Sequence, residues 1–268
     1  MKITFLGAGN IARAIIRGLI ANGTPAGDIT AADPMQSARD EAEKLGINVA
    51  MDNRRAIRHA DVVMIAVKPN LVQKIAKEIA SSIGQKLLIS VAAGITSRLL
   101  RDSLGSEAHI IRCMPNTPAQ IQSGITGLFA TTVISKTEKG IAENILGAVG
   151  KYIWVNDEAD LHAVTAVSGS GPAYFFYIIE ALQKAANQLG LDENLARMLV
   201  IETAIGAAKM TLTETTKTAE QLRREVTSPG GTTAAALSIL EQGDLAGLIS
   251  RAVESANARS IELARDIT

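Results

Sequence analysis

Cysteine is almost missing from this sequence. Cys113 is the single one in 268 residues, so no internal disulfide can form. Aromatic side chains are scarce, with one Trp, three Tyr and four Phe. Nearly half of the residues are apolar all the same, and alanine is abundant, which suits helices packed closely on small side chains. Neither sign of charge is in excess: Lys plus Arg and Asp plus Glu number 27 each, which leaves no nucleic-acid footprint. No apolar run is long enough to span a bilayer, and no signal peptide precedes the first apolar segment. The expectation is a soluble, cytoplasmic protein with no membrane partner. His59, His109 and His162 lie far apart without metal-ligand spacing. No metal is expected, and all three are expected to be structural. The length allows one large domain or two modest ones, each with a real core.

What is present starts at the N-terminus. The apolar run Ile3-Thr4-Phe5-Leu6 ends in Gly7-Ala8-Gly9, and an apolar-periodic segment follows at once. This is the pattern of a strand, a tight turn and a helix start that binds a dinucleotide. Gly7 allows the turn, and Gly9 lets the backbone approach a pyrophosphate. Ala12 is small enough for close helix–strand packing. The phosphates would meet free N–H groups at Asn10 and Ile11 and the positive end of the helix dipole. Residues 1–150 carry 17 basic and 12 acidic side chains, and the remainder 10 and 15. A mildly positive first half suits a polyanionic cofactor, although surface scatter accounts for it almost as well.

Apolar runs and amphipathic stretches then alternate. Strands are expected at 3–6, 29–32, 62–67, 87–91 and 109–114, and helices near 11–21, 37–45, 54–59, 71–81 and 97–104. A weaker β-α-β pattern spans 124–155. Such alternation argues for an α/β fold with a parallel sheet and helices on both faces, its ligands at the carboxyl ends of the strands. After Asp160 the strand signals stop. About five helices follow: 172–189 closed by Gly190, one capped by Asp192, a short one opened by the Thr218/Gln221 capping box, then 233–242 and 245–267. The division expected is a Rossmann-type dinucleotide-binding domain, 1–160, followed by an all-α domain, 161–268. Apolar residues on more than one face of the last helix fit either a buried helix or a subunit interface.

Several stretches carry chemistry. Asp33 ends the second strand run, where a carboxylate accepts from the ribose hydroxyls and favours NAD over NADP. Arg39, Asn53, Arg54 and Arg55 are nearby for a 2′-phosphate, and Asp33 before Pro34 is equally turn chemistry. Ala66-Val67-Lys68-Pro69 and Val91-Ala92-Ala93-Gly94 end strands where the cofactor should run toward its nicotinamide. Met114-Pro115-Asn116-Thr117-Pro118 is a stiff loop at the same sheet edge. Ser168-Gly169-Ser170-Gly171-Pro172-Ala173-Tyr174 and Thr227-Ser228-Pro229-Gly230-Gly231-Thr232-Thr233 each open a helix with glycines and hydroxyls, a neutral way to bind a carboxylate.

These five stretches and Phe5-Leu6-Gly7-Ala8-Gly9-Asn10-Ile11-Ala12, in this order over nearly the whole chain, resemble pyrroline-5-carboxylate reductase. The resemblance implies a Rossmann domain followed by a helical dimerisation domain, in a homodimer or a higher oligomer of dimers. It implies NAD(P)H-dependent reduction of the small molecule 1-pyrroline-5-carboxylate to L-proline, the last step of proline biosynthesis. NADPH is favoured by the resemblance, with NADH possible. Thr233 takes the catalytic role, hydrogen-bonding the ring nitrogen. Asn116, Ser228, Gly230, Gly231 and Thr232 are expected at the substrate. Gly7, Gly9, Asn10, Ile11, Asp33, Asn53, Ala66, Val67, Lys68, Pro69, Ala92, Ala93 and Gly94 are expected at the cofactor. A β-hydroxyacid dehydrogenase would place a lysine after a G-x-G-x-x-x-K stretch, where this chain has Phe175. Each active site is expected to draw on two chains.

Overall fold

The computed structural model describes residues 1–267. Eight strands form one sheet: β1 (Ile3–Leu6), β2 (Ile29–Ala32), β3 (Asn48–Ala50), β4 (Val62–Ile65), β5 (Leu87–Ser90), β6 (Ile110–Met114), β7 (Gly124–Ala130) and β8 (Gly150–Trp154). Their order is β3-β2-β1-β4-β5-β6-β7-β8, parallel throughout except for the antiparallel β6–β7 pair. The first six strands thus have the order of a doubly wound dinucleotide-binding sheet. In β4 the side chains alternate between its faces. Val62 and Met64 join a core with Phe5, Ile15, Ile16 and Ile145, whereas Val63 and Ile65 join a second core with Val72, Ile79 and Leu100. A strand buried on both faces reads as a continuous apolar run, and that is why the sequence showed it.

Helices cover both faces: α1 (Asn10–Ala21), α2 (Gln36–Glu43), α3 (Asn53–Ile57), α4 (Pro69–Ile83), α5 (Ser97–Leu104), α6 (Lys136–Gly147) and α7 (Asp160–Val164). The expected strands and helices of this half are all present, with ends moved by a few residues. The 62–67 run stops being a strand at Ile65, because the chain turns away toward Pro69. The 124–155 pattern is β7–α6–β8. Strand β3 was not expected. It is a three-residue edge strand that starts with an exposed Asn48, so it offers no apolar run to read. The chain from 165 to 169 forms a π-helical turn after α7.

Five helices follow: α8 (Gly171–Gln188), α9 (Glu193–Thr213), α10 (Ala219–Glu225), α11 (Thr232–Gln242) and α12 (Leu245–Ile267). Asp192 caps α9 through the N–H groups of Asn194 and Leu195, and Thr218 and Gln221 form the reciprocal box that opens α10, as expected. Gly190, at φ +93°, takes the left-handed position after α8. Compact packing divides the chain into Met1–Ser170 with the segment from Ser255 onward, and Gly171–Glu254. The first unit contains the sheet and α7, which packs on β6 and β7. No helix among the described residues is long and apolar enough to cross a membrane.

Candidate active site

The glycine turn is the best-defined part of the sheet's carboxyl edge. Leaving β1, the chain reaches Gly7 at φ +100°, where a Cβ would stand 2.6 Å from the Ala66 carbonyl oxygen and 2.7 Å from Val67 Cγ1. Only glycine fits there. Gly9 is different. Its φ is an ordinary −72°, and a Cβ on it would meet nothing within 4 Å. The fold itself does not require glycine at Gly9, and the open space in front of α1 is what a pyrophosphate would take. Gly9 is also the N-cap of α1, and no side chain caps the helix. The first-turn N–H groups, those of Asn10 and Ile11 among them, are left for a ligand. The Arg13 guanidinium steadies this turn by donating to the Ala8 carbonyl and to Asn10 Oδ1, each at 2.8 Å. An anionic dinucleotide fits these residues.

The other strand-end residues lie on the same edge. Asp33 follows β2, Ala66-Val67-Lys68-Pro69 follow β4, the 91–94 stretch follows β5, and Asn116 follows β6. The structure gives several of them a second task. Asp33 accepts from the N–H groups of Ala8 and Met35, at 3.0 and 2.9 Å. Arg39 donates to the carbonyls of Asp33 and Pro34. Asn53 Nδ2 donates to Glu78 Oε2 at 3.1 Å, and Arg54 Nε to the Glu78 carbonyl at 2.6 Å, so both turn toward α4. Lys68 is exposed and forms no ion pair among the described residues. Pro69 takes the first position of α4. Ala92 is buried and Ala93 half-buried. Gly94 has φ +75°, a left-handed backbone that favours glycine, while a Cβ there would make only an ordinary 3.4 Å contact with the Ala264 backbone nitrogen of α12. Asn116 Oδ1 accepts from the Ile125 N–H at 3.0 Å, which ties the proline-bracketed loop to β7.

The helical unit presents the 227–233 loop. The turn passes through Gly230 at φ +68°, and Gly231 becomes the N-cap of α11 with no side chain capping it. Ser228 accepts the Gly231 N–H through its carbonyl at 3.0 Å, so a main-chain bond closes the turn. Thr232 and Thr233 form the first turn of α11, Thr232 exposed and Thr233 half-buried. Uncapped N–H groups, glycines and three hydroxyls stand together at one helix start. The 168–174 stretch is less open: the Ser168 hydroxyl donates back to the Val164 carbonyl at 2.9 Å.

One cluster was not legible in any motif. Glu158 Oε1 accepts from the Ser97 N–H at 2.5 Å and from Arg112 Nη1 at 2.8 Å, and Oε2 accepts the Ser97 hydroxyl at 2.7 Å. Burial pushes the Glu158 carboxyl up, but the Ser97 and Arg112 hydrogen bonds outweigh it and hold it below the ordinary carboxylate value. These partners lie 46 and 61 residues away in sequence, and no short spacing announces them. Nearby His162 is held below its usual value by burial and by the Arg112 charge, against the pull of Glu158, and its Nδ1 lies 2.9 Å from Ser260 Oγ. His109 pairs with Glu138 at 2.5 Å. Each of these two histidines thus has a side-chain partner within the chain. A groove of about 660 Å³ is lined by Thr96, Arg98, Glu158, His162 and Ile261 among others, and includes none of the glycine-turn residues.

A doubly wound sheet with an open glycine turn, followed by a helical unit with a glycine–threonine helix start, is the layout of a two-unit dinucleotide-binding protein. Residues 158–263 match the family model described as pyrroline-5-carboxylate reductase dimerisation, and residues 2–94 match that described as NADP oxidoreductase coenzyme F420-dependent. The chain is 42% identical over 268 residues to a pyrroline-5-carboxylate reductase of Pseudomonas aeruginosa, covering 99% of this chain and 98% of the relative. Its fold matches the solved pyrroline-5-carboxylate reductase of Coxiella burnetii with a TM-score of 0.91 and 44% identity, over 98% of each chain. It matches the Plasmodium falciparum pyrroline carboxylate reductase solved with NADP bound equally well, with a TM-score of 0.91, 29% identity and 98% coverage of each. The chain belongs to the pyrroline-5-carboxylate reductase family.

Proposed function

We propose that this chain reduces 1-pyrroline-5-carboxylate to L-proline at the expense of NAD(P)H. The observation that carries the reading is the full-length likeness to reductases of that name, 42% identical over 268 residues. In this reading residues 1–160 bind the dinucleotide, and 161–268 bind substrate and pair two chains in the cytoplasm as a homodimer or an oligomer of dimers.

Gly7, Gly9, Asn10 and Ile11 hold the pyrophosphate through backbone N–H groups. Asp33 and Asn53 lie toward the adenosine, and Ala66, Val67, Lys68, Pro69, Ala92, Ala93 and Gly94 toward the nicotinamide. NADPH is the favoured cofactor, with NADH as the second. When bound, it supplies the hydride that adds to the imine carbon. The nitrogen takes a proton, so a hydride and a proton add across one C=N bond. A protonated cyclic imine is already a good hydride acceptor, and the protein's task is orientation more than acid–base work. Thr233 orients the ring nitrogen with its hydroxyl and relays the proton. Ser228, Thr232 and the backbone of Gly230 and Gly231 hold the carboxylate at the uncapped start of α11. Asn116 shapes the pocket wall.

Purified protein, given pyrroline-5-carboxylate and NADPH or NADH, should consume the reduced nicotinamide and release an equal amount of proline. Folded protein that gives no proline above background with either cofactor would reject the reading.

A further inference from the structure

The Asp33 carboxylate stands where a ribose would be read, yet both of its oxygens are engaged within the chain. Oδ2 accepts the Ala8 N–H at 3.0 Å, in the middle of the glycine turn, and Oδ1 accepts the Met35 N–H at 2.9 Å, at the cap of α2. Beside them the Gly7 N–H donates to the Ala32 carbonyl at 2.7 Å. The turn after β1 is therefore stitched to the end of β2 by one main-chain bond and one bond through the carboxylate. Arg39 braces the same corner from the other side, donating to the carbonyls of Asp33 and Pro34 at 2.6 and 2.9 Å. Ala8 is fully buried, so its peptide has little room to turn except by breaking the Asp33 bond.

We infer that Asp33 is a positioning residue for the glycine turn. It acts on the dinucleotide through Ala8, and does not discriminate between a 2′-hydroxyl and a 2′-phosphate. The inference rests on the cofactor assignment of the preceding section. A pyrophosphate site made of backbone N–H groups binds best when those groups are aimed beforehand, because ordering a loose loop costs affinity. The pyrophosphate is common to NADH and NADPH. A loosened turn weakens both by one factor, whereas a lost ribose contact changes one against the other.

The test is direct binding of NADH and NADPH to the full chain, by fluorescence titration or calorimetry, with no imine present. Asp33→Asn keeps the shape but turns an N–H2 toward one of the two donors, so one bond is lost. Met35→Pro removes the N–H that holds Oδ1, and the Met35 φ of −80° is one that proline adopts. Asp33→Asn should weaken both dinucleotides by about five-fold, the effect of one lost hydrogen bond, and leave their ratio unchanged. Met35→Pro should weaken both in the same direction, and it carries the test by itself if Asp33→Asn does not fold. Hydrogen exchange at the Ala8 amide should quicken in both variants while exchange at Val63 stays as in the parent, which a general loss of stability would not produce. NADH weakened with NADPH unchanged or tightened would overturn the inference, as would affinities that do not move for either dinucleotide. A parent protein that binds neither dinucleotide would reject the cofactor assignment and the positioning role together. A shifted ratio in a parent that binds both rejects the positioning role alone.

Discussion

At the scale of single residues, identity was readable and second partners were not. The sequence assigns Gly7 to the tight turn and Gly9 to the approach of a pyrophosphate. The structure separates them: the Ala66 carbonyl forbids any side chain at Gly7, while Gly9 faces open space. Asp33 was found by its place after an apolar run, but its bonds to Ala8 and Met35 depend on a turn geometry that no spacing encodes. Thr233 is the residue to substitute first. Thr233→Ala should lower kcat by about five- to a hundred-fold, the worth of one oriented donor, with NADPH affinity unchanged. Steady-state kinetics beside a cofactor titration would measure both, and an equal loss of NADPH affinity would count against Thr233 as the group on the ring nitrogen. Cys113 is buried, its thiol donates to the Ser90 carbonyl, and burial pushes its pKa up to about 12. A thiol in that state is not nucleophilic. The native protein should therefore resist alkylation and the denatured protein take one label, as mass spectrometry would show.

Among elements, legibility followed burial. The strands β1, β4 and β5 are buried on both faces and were plain, as were the caps of α9 and α10, whose chemistry is local. Arg112 lies inside β6, 5% exposed, and no local pattern explains a charge there. Its reason is Glu158, brought in by the chain that links β8 to α7, and through Ser97 the same carboxylate holds the start of α5. Because the folded Glu158 carboxyl titrates below its ordinary 4.5, its stabilisation is complete above that value. It is lost as pH falls from there through the folded value. Glu158→Gln should cost about 2 kcal/mol near neutrality, since hydrogen bonds to a charge are removed and Arg112 is left unpaired. The gap between parent and variant in thermal or urea unfolding should close as the pH drops from 4.5 through the lower folded value. A gap that persists in acid would mean that Glu158 is not the group that titrates.

Over the whole molecule, the two-unit plan was visible because strand signals end where helix caps begin, but the segment from Ser255 onward packs with the sheet-bearing unit, a long-range contact that no local pattern reports. The helical half leaves apolar side chains in water in a single chain: Phe175, Phe176 and Tyr177 of α8 are 69, 64 and 73% exposed. Patches of that kind mark interfaces. Light scattering should give at least twice the 28.2 kDa of one chain, and Phe176→Glu with Leu182→Glu should shift the mass toward a single chain. Co-expressing tagged Thr233→Ala and Gly9→Val chains should restore activity in the purified mixed dimer if two chains supply each site; no recovery would mean that one chain is sufficient. In the proposed reaction, hydride passes to the imine carbon of pyrroline-5-carboxylate. This step is tested most directly with NADPH deuterated at the transferable position of its nicotinamide. Hydride transfer to that carbon gives proline with one deuterium on the ring carbon that was the imine carbon; proline without the label, or none at all, would rule the reaction out.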